Sequence, residues 1–254
     1  MKSLIITVAG TSSRFNKDTK EDVLKCLYYE GTPANSLISL QIHKAFDLVD
    51  EIVVVGGYKY EDLEKFICNE IKDVNCKMKL VYNDHYHDYG SGYSLLKGIE
   101  AVSEKANEII FIEGDLFFDT ESVKKIISSK KDVISVNNEP ILSNKAVALY
   151  FDTGNSPHYI YDTNHSCLEI HEPFTAIYNS GQMWKFMNPS RARQICQFLT
   201  PEQKQGTNLE IIQKYFGAYK STQLDIVRIN LWFNCNTVAD YREAVRKMKI
   251  LPNV

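Results

Sequence analysis

Short apolar runs and helical stripes alternate along the first half of the chain. Leu4-Ile5-Ile6-Thr7-Val8, Ile52-Val53-Val54-Val55, Leu80-Val81-Tyr82 and Ile109-Ile110-Phe111-Ile112 are strand-length runs, and three of them end in glycine or polar residues. Between them, Leu37, Leu40, Ile42 and Phe46, then Leu63, Phe66, Ile67 and Ile71, then Leu95, Leu96, Ile99 and Val102 recur at helical spacing. Strands that alternate with helices predict right-handed crossovers and a mainly parallel sheet. Runs with no polar alternation predict a sheet covered by helices on both faces.

The second half is more mixed. Strands are predicted over Lys145–Phe151 and Phe174–Tyr178, in an antiparallel arrangement. Thr207-Asn208-Leu209-Glu210 has the form of a capping box before Ile211 and Ile212, and Thr237-Val238-Ala239-Asp240 is a weaker one. No Pro/Gly-rich linker divides the halves. The expectation is one α/β domain over 1–254, a Rossmann-like, mainly parallel but mixed sheet flanked by helices. Its front half covers about 1–130 and its back half about 131–254.

Composition narrows the function classes. The 254 residues are 44% hydrophobic and 24% charged, ordinary values for a globular chain large enough to fold without disulfides. A net charge of −3 without a basic run argues against a nucleic-acid partner. The six cysteines include no Cys-x-x-Cys pair, and the first apolar run is too short for a signal core or a bilayer span. These features predict a cytoplasmic protein with reduced thiols and no membrane partner.

Chemistry concentrates at two strand ends. Ala9-Gly10-Thr11-Ser12-Ser13-Arg14-Phe15 follows the first run, and small residues there let backbone N–H groups approach phosphate oxygens, with Arg14 positioned to clamp them. Read without that chemistry, it is a tight turn with a surface Arg. Glu113-Gly114-Asp115 follows the fourth run and offers carboxylate for Mg²⁺; otherwise Asp115 simply caps a turn.

Taken together, Ala9-Gly10-x-x-Ser13-Arg14-Phe15, Lys25 and Gly114-Asp115 resemble the nucleotidyltransferases of the GT-A-like fold. Gly31-Thr32-Pro33 and Leu37-Ile38 echo that family's next turn. Val55-Gly56-Gly57-Tyr58, Tyr82-Asn83-Asp84-His85-Tyr86, Asp88-Tyr89 and Tyr93-Ser94-Leu95 are similar to the phosphocholine cytidylyltransferase branch. Tyr178-Asn179-Ser180-Gly181 resembles the Asn-x-Gly strand of sugar-phosphate members, and Trp232-Phe233-Asn234-Cys235-Asn236-Thr237 with Asp240-Tyr241 resembles the C-terminal motif. The likeness spans nearly the whole chain, most weakly over about 131–170. Three positions depart from the family: Ser12 replaces the second loop glycine, Leu24 the Pro before the lysine, and Asn236 a metal-binding Asp. A neutral amide can still ligate Mg²⁺ with less charge; Glu113 and Asp225 are the acids available to compensate.

The resemblance implies transfer of CMP from CTP to a small phosphorylated acceptor with release of pyrophosphate. Arg14, Lys25 and Asp115 are the implied catalytic residues, with Mg²⁺ on Asp115 and Asn236. Nucleotide binding falls to the loop Ala9, Gly10, Thr11, Ser12, Ser13 and Arg14, to Gly57 and Asn83, and to Ser91, Gly92 and Ser94; the glycines and serines there read equally as a plain helix start. The acceptor, phosphocholine-like, a phosphonate or a phosphorylated amino acid or amide, is expected near Tyr178, Asn179, Glu172 and Trp232. An aromatic cage of Tyr178, Trp184 and Trp232 would hold a quaternary ammonium by cation–π attraction; the acids Glu169, Glu172 and Asp152 would instead take an amine. His85 and His87 read as ordinary loop histidines. The alternatives are a sugar-1-phosphate nucleotidyltransferase using another NTP, a nucleotide-binding relative without catalysis, and a glycosyltransferase of related fold.

Overall fold

A computed structural model describes residues 1–143, 146–162 and 166–250, without the side chains of Asn75, Lys249 and Ile250. Along the chain it contains β1 (Lys2–Thr7), α1 (Ser13–Thr19), α2 (Leu37–Ala45), β2 (Glu51–Gly56), α3 (Tyr60–Glu70), β3 (Met78–Tyr82), α4 (Ser91–Ala101) and β4 (Glu108–Glu113). There follow β5 (Leu116–Phe118), α5 (Thr120–Ser128), β6 (Val133–Asn137), β7 (Ala148–Asp152), β8 (Pro157–Ile160) and β9 (Phe174–Phe186). The chain continues through α6 (Pro189–Gln197), α7 (Pro201–Gln205), α8 (Leu209–Phe216), β10 (Asp225–Arg228), β11 (Trp232–Asn234) and α9 (Val238–Ile250). All four strands and three helices expected in the first half are present. In the second half, Lys145 lies outside the described residues and β7 runs from Ala148, while β9 extends well past Tyr178.

The main sheet runs β10-β6-β9-β4-β1-β2-β3, with β7 paired to β9 and β8 paired to β7. β1, β2, β3 and β4 pair in parallel, β10 pairs in parallel with β6, and β9 is antiparallel to both β4 and β6. The mixed, mainly parallel sheet is as expected. Its faces follow the two-residue period of the strands. Leu4, Ile6, Ile52, Val54, Ile110 and Ile112 pack on one side, and Ile5, Val53, Val55, Ile109, Phe111 and Trp184 on the other. Helices α2, α3 and α5 contribute to the first layer, α4, α6 and α8 to the second. This two-sided burial is why the strands show no polar alternation.

A third cluster joins Phe15, Leu37, Phe117, Cys235, Val238 and Tyr241. It binds α1 and α9 onto the small antiparallel pair of β5 and β11, which stands off the main sheet. The C-terminal motif is thereby delivered to the same end of the molecule as the loop after β1. All six cysteines are free thiols, and among the described residues no helix is long and apolar enough to cross a membrane.

One helix start differs from expectation. Asn208, not Thr207, caps α8, and no side-chain cap forms. The Asn208 amide is turned away and donates to Glu113 Oε1 (2.6 Å), an inter-element bond that local capping cannot also use. At α9 the motif does close: Thr237 N and Oγ1 donate to Asp240 Oδ2, and Asp240 N donates back to Thr237 Oγ1.

Candidate active site

Strand order places β1 between β2 and β4, so the loops after β1 and β4 meet over the carboxyl ends of the strands, where open α/β sheets bind ligands. Thr7 pairs with Glu113, and Gly114 N donates to Thr7 O (3.0 Å). A Cβ on Gly114 would lie 2.6 Å from Thr7 O and 2.3 Å from Val8 Cγ1. Glycine is needed there because the chain crosses the end of β1 in contact with its backbone.

Four predicted residues converge on this point. Lys25 Nζ donates to Asp115 Oδ2 (2.9 Å) and to Asn236 Oδ1 (3.2 Å). Arg14 Nη2 donates to the same Asn236 oxygen (2.9 Å). Asn236 turns its oxygen inward because its own amide donates to Asn234 Oδ1 (2.6 Å). The family's three departures acquire physical reasons here. Ser12 adopts φ 56°, a left-handed conformation that costs a non-glycine residue about 1 kcal/mol, and its hydroxyl accepts the Lys25 backbone N–H (3.0 Å). A glycine could take the angle and could not hold Lys25. Leu24, only 3% exposed, anchors the same segment by burying its side chain in the core. Asn236 supplies one neutral oxygen to two cations.

The charges at the centre are unbalanced. Asp115 Oδ1 is buried and accepts no hydrogen bond. Burial, and then the neighbouring Asp115 charge, hold the Glu113 carboxyl well above the usual carboxylate range, against the bond from Asn208 and the charge of Lys25. An orphaned carboxylate oxygen beside a second strained carboxyl fits an oxygen-ligated divalent cation. Among the described residues no cluster of three or more His, Cys, Asp or Glu side chains stands ready for a metal. A cation here would rest on Asp115, with Glu113 and Asn236 nearby and phosphate and water completing its shell. Asp225, the other acid considered, does not contribute: it lies on β10 across the sheet, bonded to Ser129 and paired with Lys131.

Two adjoining clefts open from Asp115. The first, about 720 Å³ including space open to solvent, runs over Ala9, Gly10, Asn83, Tyr86, Tyr89 and Ser94. Asn83 is buried and already partnered, donating to Ser94 Oγ (2.9 Å) and accepting from His85 N (2.9 Å). Ser91 faces both clefts, and its hydroxyl accepts Asn208 N (3.1 Å). Gly92 is a packing residue: a Cβ there would meet Thr207 O at 2.7 Å. Gly57 is another, closed over by Tyr86 and Ala9. Thr11 is exposed on the loop entering α1, and Ser13 is exposed as the first residue of that helix.

The second cleft, about 640 Å³, continues past Arg14 and Asp115 to Tyr161, Gln182, Asn234 and Asn236. None of the expected acceptor residues lines it. Asn179 donates to Pro140 O (3.1 Å), Glu172 accepts from Tyr150 OH (2.6 Å), and Trp232 Nε1 donates to Gly181 O (3.0 Å). Trp184 is fully buried and stacked on Phe111 at 5.3 Å, while Tyr178 packs edge-on against Phe151. Trp232 packs with the core layer opposite to that of Trp184 and Tyr178, so the three rings form no cage. Asp152 pairs with His158, and Glu169 with His171. The aromatic and acidic residue types suggested a ligand, but their contacts are structural. Tyr86 and Tyr89, marked in the sequence only as part of the cytidylyltransferase-like segment, and Asn208, read as part of a capping box, reach the clefts, as does Gln182, which no motif marked.

The fold is matched by known proteins. The chain is similar across its length to the inositol-1-phosphate CTP transferase from T. maritima (15% identity, TM-score 0.71, covering 98% of this chain and 97% of that one). It is similar to a UDP-glucose pyrophosphorylase solved with UDP-glucose (12%, 0.70, 99% and 99%) and to CTP:phosphocholine cytidylyltransferase from Streptococcus pneumoniae (16%, 0.61, 98% and 99%). At these identities the likeness shows a shared fold. No curated protein matches by sequence. The family model described as Domain of unknown function (DUF6564) matches residues 21–248, from just before Lys25 to the last turns of α9; the chain belongs to that family, on the fold of the nucleotidyltransferases.

Proposed function

We propose that this protein is a nucleotidyltransferase, transferring CMP from CTP to a small phosphorylated acceptor and releasing pyrophosphate. The observation that carries the reading is Asp115, with one oxygen held by Lys25 and the other buried and unpartnered, at the junction of two clefts that Arg14 overlooks.

In the proposed reaction an acceptor phosphate oxygen forms a bond to the α-phosphorus, the bond from that phosphorus to the bridging oxygen breaks, and its electron pair leaves on pyrophosphate. The attacking oxygen is already ionised at neutral pH, so no general base is required. The barrier is repulsion between anions and charge growth on the leaving group, and fixed cations lower it. Mg²⁺ bound through Asp115 would neutralise phosphate charge. Arg14 and Lys25, parked on the neutral Asn236 oxygen, can exchange that bond for phosphate oxygens at little cost. The loop from Ala9 to Ser13 borders the triphosphate, and Asn83 with Ser94 borders the base. Tyr86 and Tyr89 supply apolar faces beside them.

The test is pyrophosphate release from each of the four NTPs with Mg²⁺, against phosphate-ester and phosphonate acceptors, with products identified by mass. Release with CTP, lost in Asp115→Ala, supports the proposal. Release with another NTP and a sugar 1-phosphate moves the protein to that activity. Nucleotide binding without release from any pair, persisting in Asn236→Asp, refutes transfer.

A further inference from the structure

The second cleft contains a strained residue that transfer of the nucleotide does not use. Gln182 lies inside β9 at φ 54°, in the left-handed region that disfavours side chains. It is 5% exposed, lines the cleft beside Asn234 and Tyr161, and its Oε1 is buried without a hydrogen-bond partner. The surrounding chain is built to hold it there. Between Ile134 and Val136 the pairing of β6 with β9 shifts, so that Ile134 faces Trp184 but Val136 faces Ser180. Ser135 fills the irregularity, donating to Met183 O (2.7 Å) and accepting from Met183 N (3.0 Å). Ser180 Oγ accepts Gln182 N (3.1 Å), and Trp232 Nε1 holds Gly181 O. A bulge in mid-strand, over-determined on both sides, re-aims one side chain.

The chemistry around Gln182 defines what it would meet. Asn208, Asn234 and Asn236 also line the cleft, and each already has a side-chain partner. The two carboxylates, Glu113 and Asp115, come from the end of β4 that faces Arg14 and Lys25. Among the described residues no aromatic cage borders the cleft. An unpartnered amide oxygen calls for a neutral donor, and a hydroxyl supplies one. A trimethylammonium has no N–H to give, and a primary ammonium would be placed by a carboxylate rather than by amides near Arg14.

We infer that Gln182 is a specificity-determining residue for the acceptor and that the acceptor is a hydroxylated phosphate ester, a polyol or sugar phosphate, whose hydroxyl donates to Gln182 Oε1. This rests on the transferase reading for the second cleft's role as acceptor site. Loss of the amide leaves a ligand hydroxyl without its partner at a buried position of the cleft, which lowers affinity about tenfold.

The experiment is calorimetric titration of glucose 1-phosphate, inositol 1-phosphate, glycerol 3-phosphate, phosphocholine and phosphoethanolamine into the wild-type protein with Mg²⁺ and a non-hydrolysable CTP analogue. It is repeated with Gln182→Met, which keeps the side-chain volume, and with Gln182→Asn, which keeps the amide on a shorter stem; circular dichroism and thermal melting verify that each variant folds. The expected result is binding of at least one hydroxylated ester, weakened about tenfold in Gln182→Met, with inorganic phosphate binding unaltered. Preference for phosphocholine or phosphoethanolamine, equal binding of the ester to Gln182→Met, or binding of none of the five overturns the inference. Pyrophosphate release is followed in parallel. Gln182-dependent binding without release from any NTP sinks the transferase reading alone, and release onto phosphocholine, indifferent to Gln182, sinks this inference alone.

Discussion

Removing the Lys25 amine tests whether the centre is organised by charge. In Lys25→Met, Asp115 loses its hydrogen-bonded partner at 2.9 Å while its other oxygen already has none, and Glu113 remains beside it. Both members of the pair are about four-fifths buried, with side chains 21% and 20% exposed. At an effective dielectric near 20 the direct attraction at this distance is about 6 kcal/mol, most of it offset by desolvation. Removing one member of a fully buried pair costs about 3–5 kcal/mol; with the remaining exposure, about 2 kcal/mol is expected, or about 4–8 °C in Tm for a chain of this size. The assay is equilibrium denaturation of wild type, Lys25→Met, Asp115→Asn and the double variant at neutral pH without divalent cations. The Lys25→Met penalty should shrink by about 1–2 kcal/mol once Asp115 is neutral. Mg²⁺ should recover part of the penalty in the single variant, because a cation replaces the lost charge. Additivity of the two substitutions within about 0.5 kcal/mol refutes the argument.

Glu113 makes stability pH-dependent. Its carboxyl is raised in the folded chain, so the native state holds a proton that the unfolded state releases; stability is full at low pH and falls as pH climbs from about 5 toward the raised value. Glu113→Gln should flatten that decline in a pH series of denaturation curves, and a parallel slope would remove the assignment. Asn236→Asp adds a charge beside Asp115 and should tighten Mg²⁺ binding about tenfold by calorimetry; unchanged affinity would place the cation away from residue 236. Gly114→Ala drives a methyl into Thr7 O and Val8 and should cost about 3 kcal/mol in denaturant unfolding, whereas a loss below about 0.5 kcal/mol would mean that the chain crossing over β1 is slack.

Local pattern carried most of the architecture. A strand buried on both faces is apolar at most positions, so Leu4–Val8, Ile52–Val55 and Ile109–Ile112 identify themselves without a fold. Gly114 and Arg14 stand in short motifs visible along the chain, although what requires glycine at 114 is the crossing over the end of β1. The meeting of Arg14, Lys25, Asp115 and Asn236 was legible only through resemblance to a family, since nothing in the spacing of these residues brings them together. Contacts between distant segments were not legible. Asn208 has the look of a capping residue and instead bonds Glu113; Trp184 and Trp232 have the look of a cage and lie in opposite core layers. Gln182 has no motif, because its role arises from a register shift between β6 and β9 and from Ser135 on the neighbouring strand. Side-chain periodicity is a property of neighbours in the chain and can be read from sequence. The partner of a polar group, and whether it has one, depends on which strands and helices meet, and only the folded arrangement decides that.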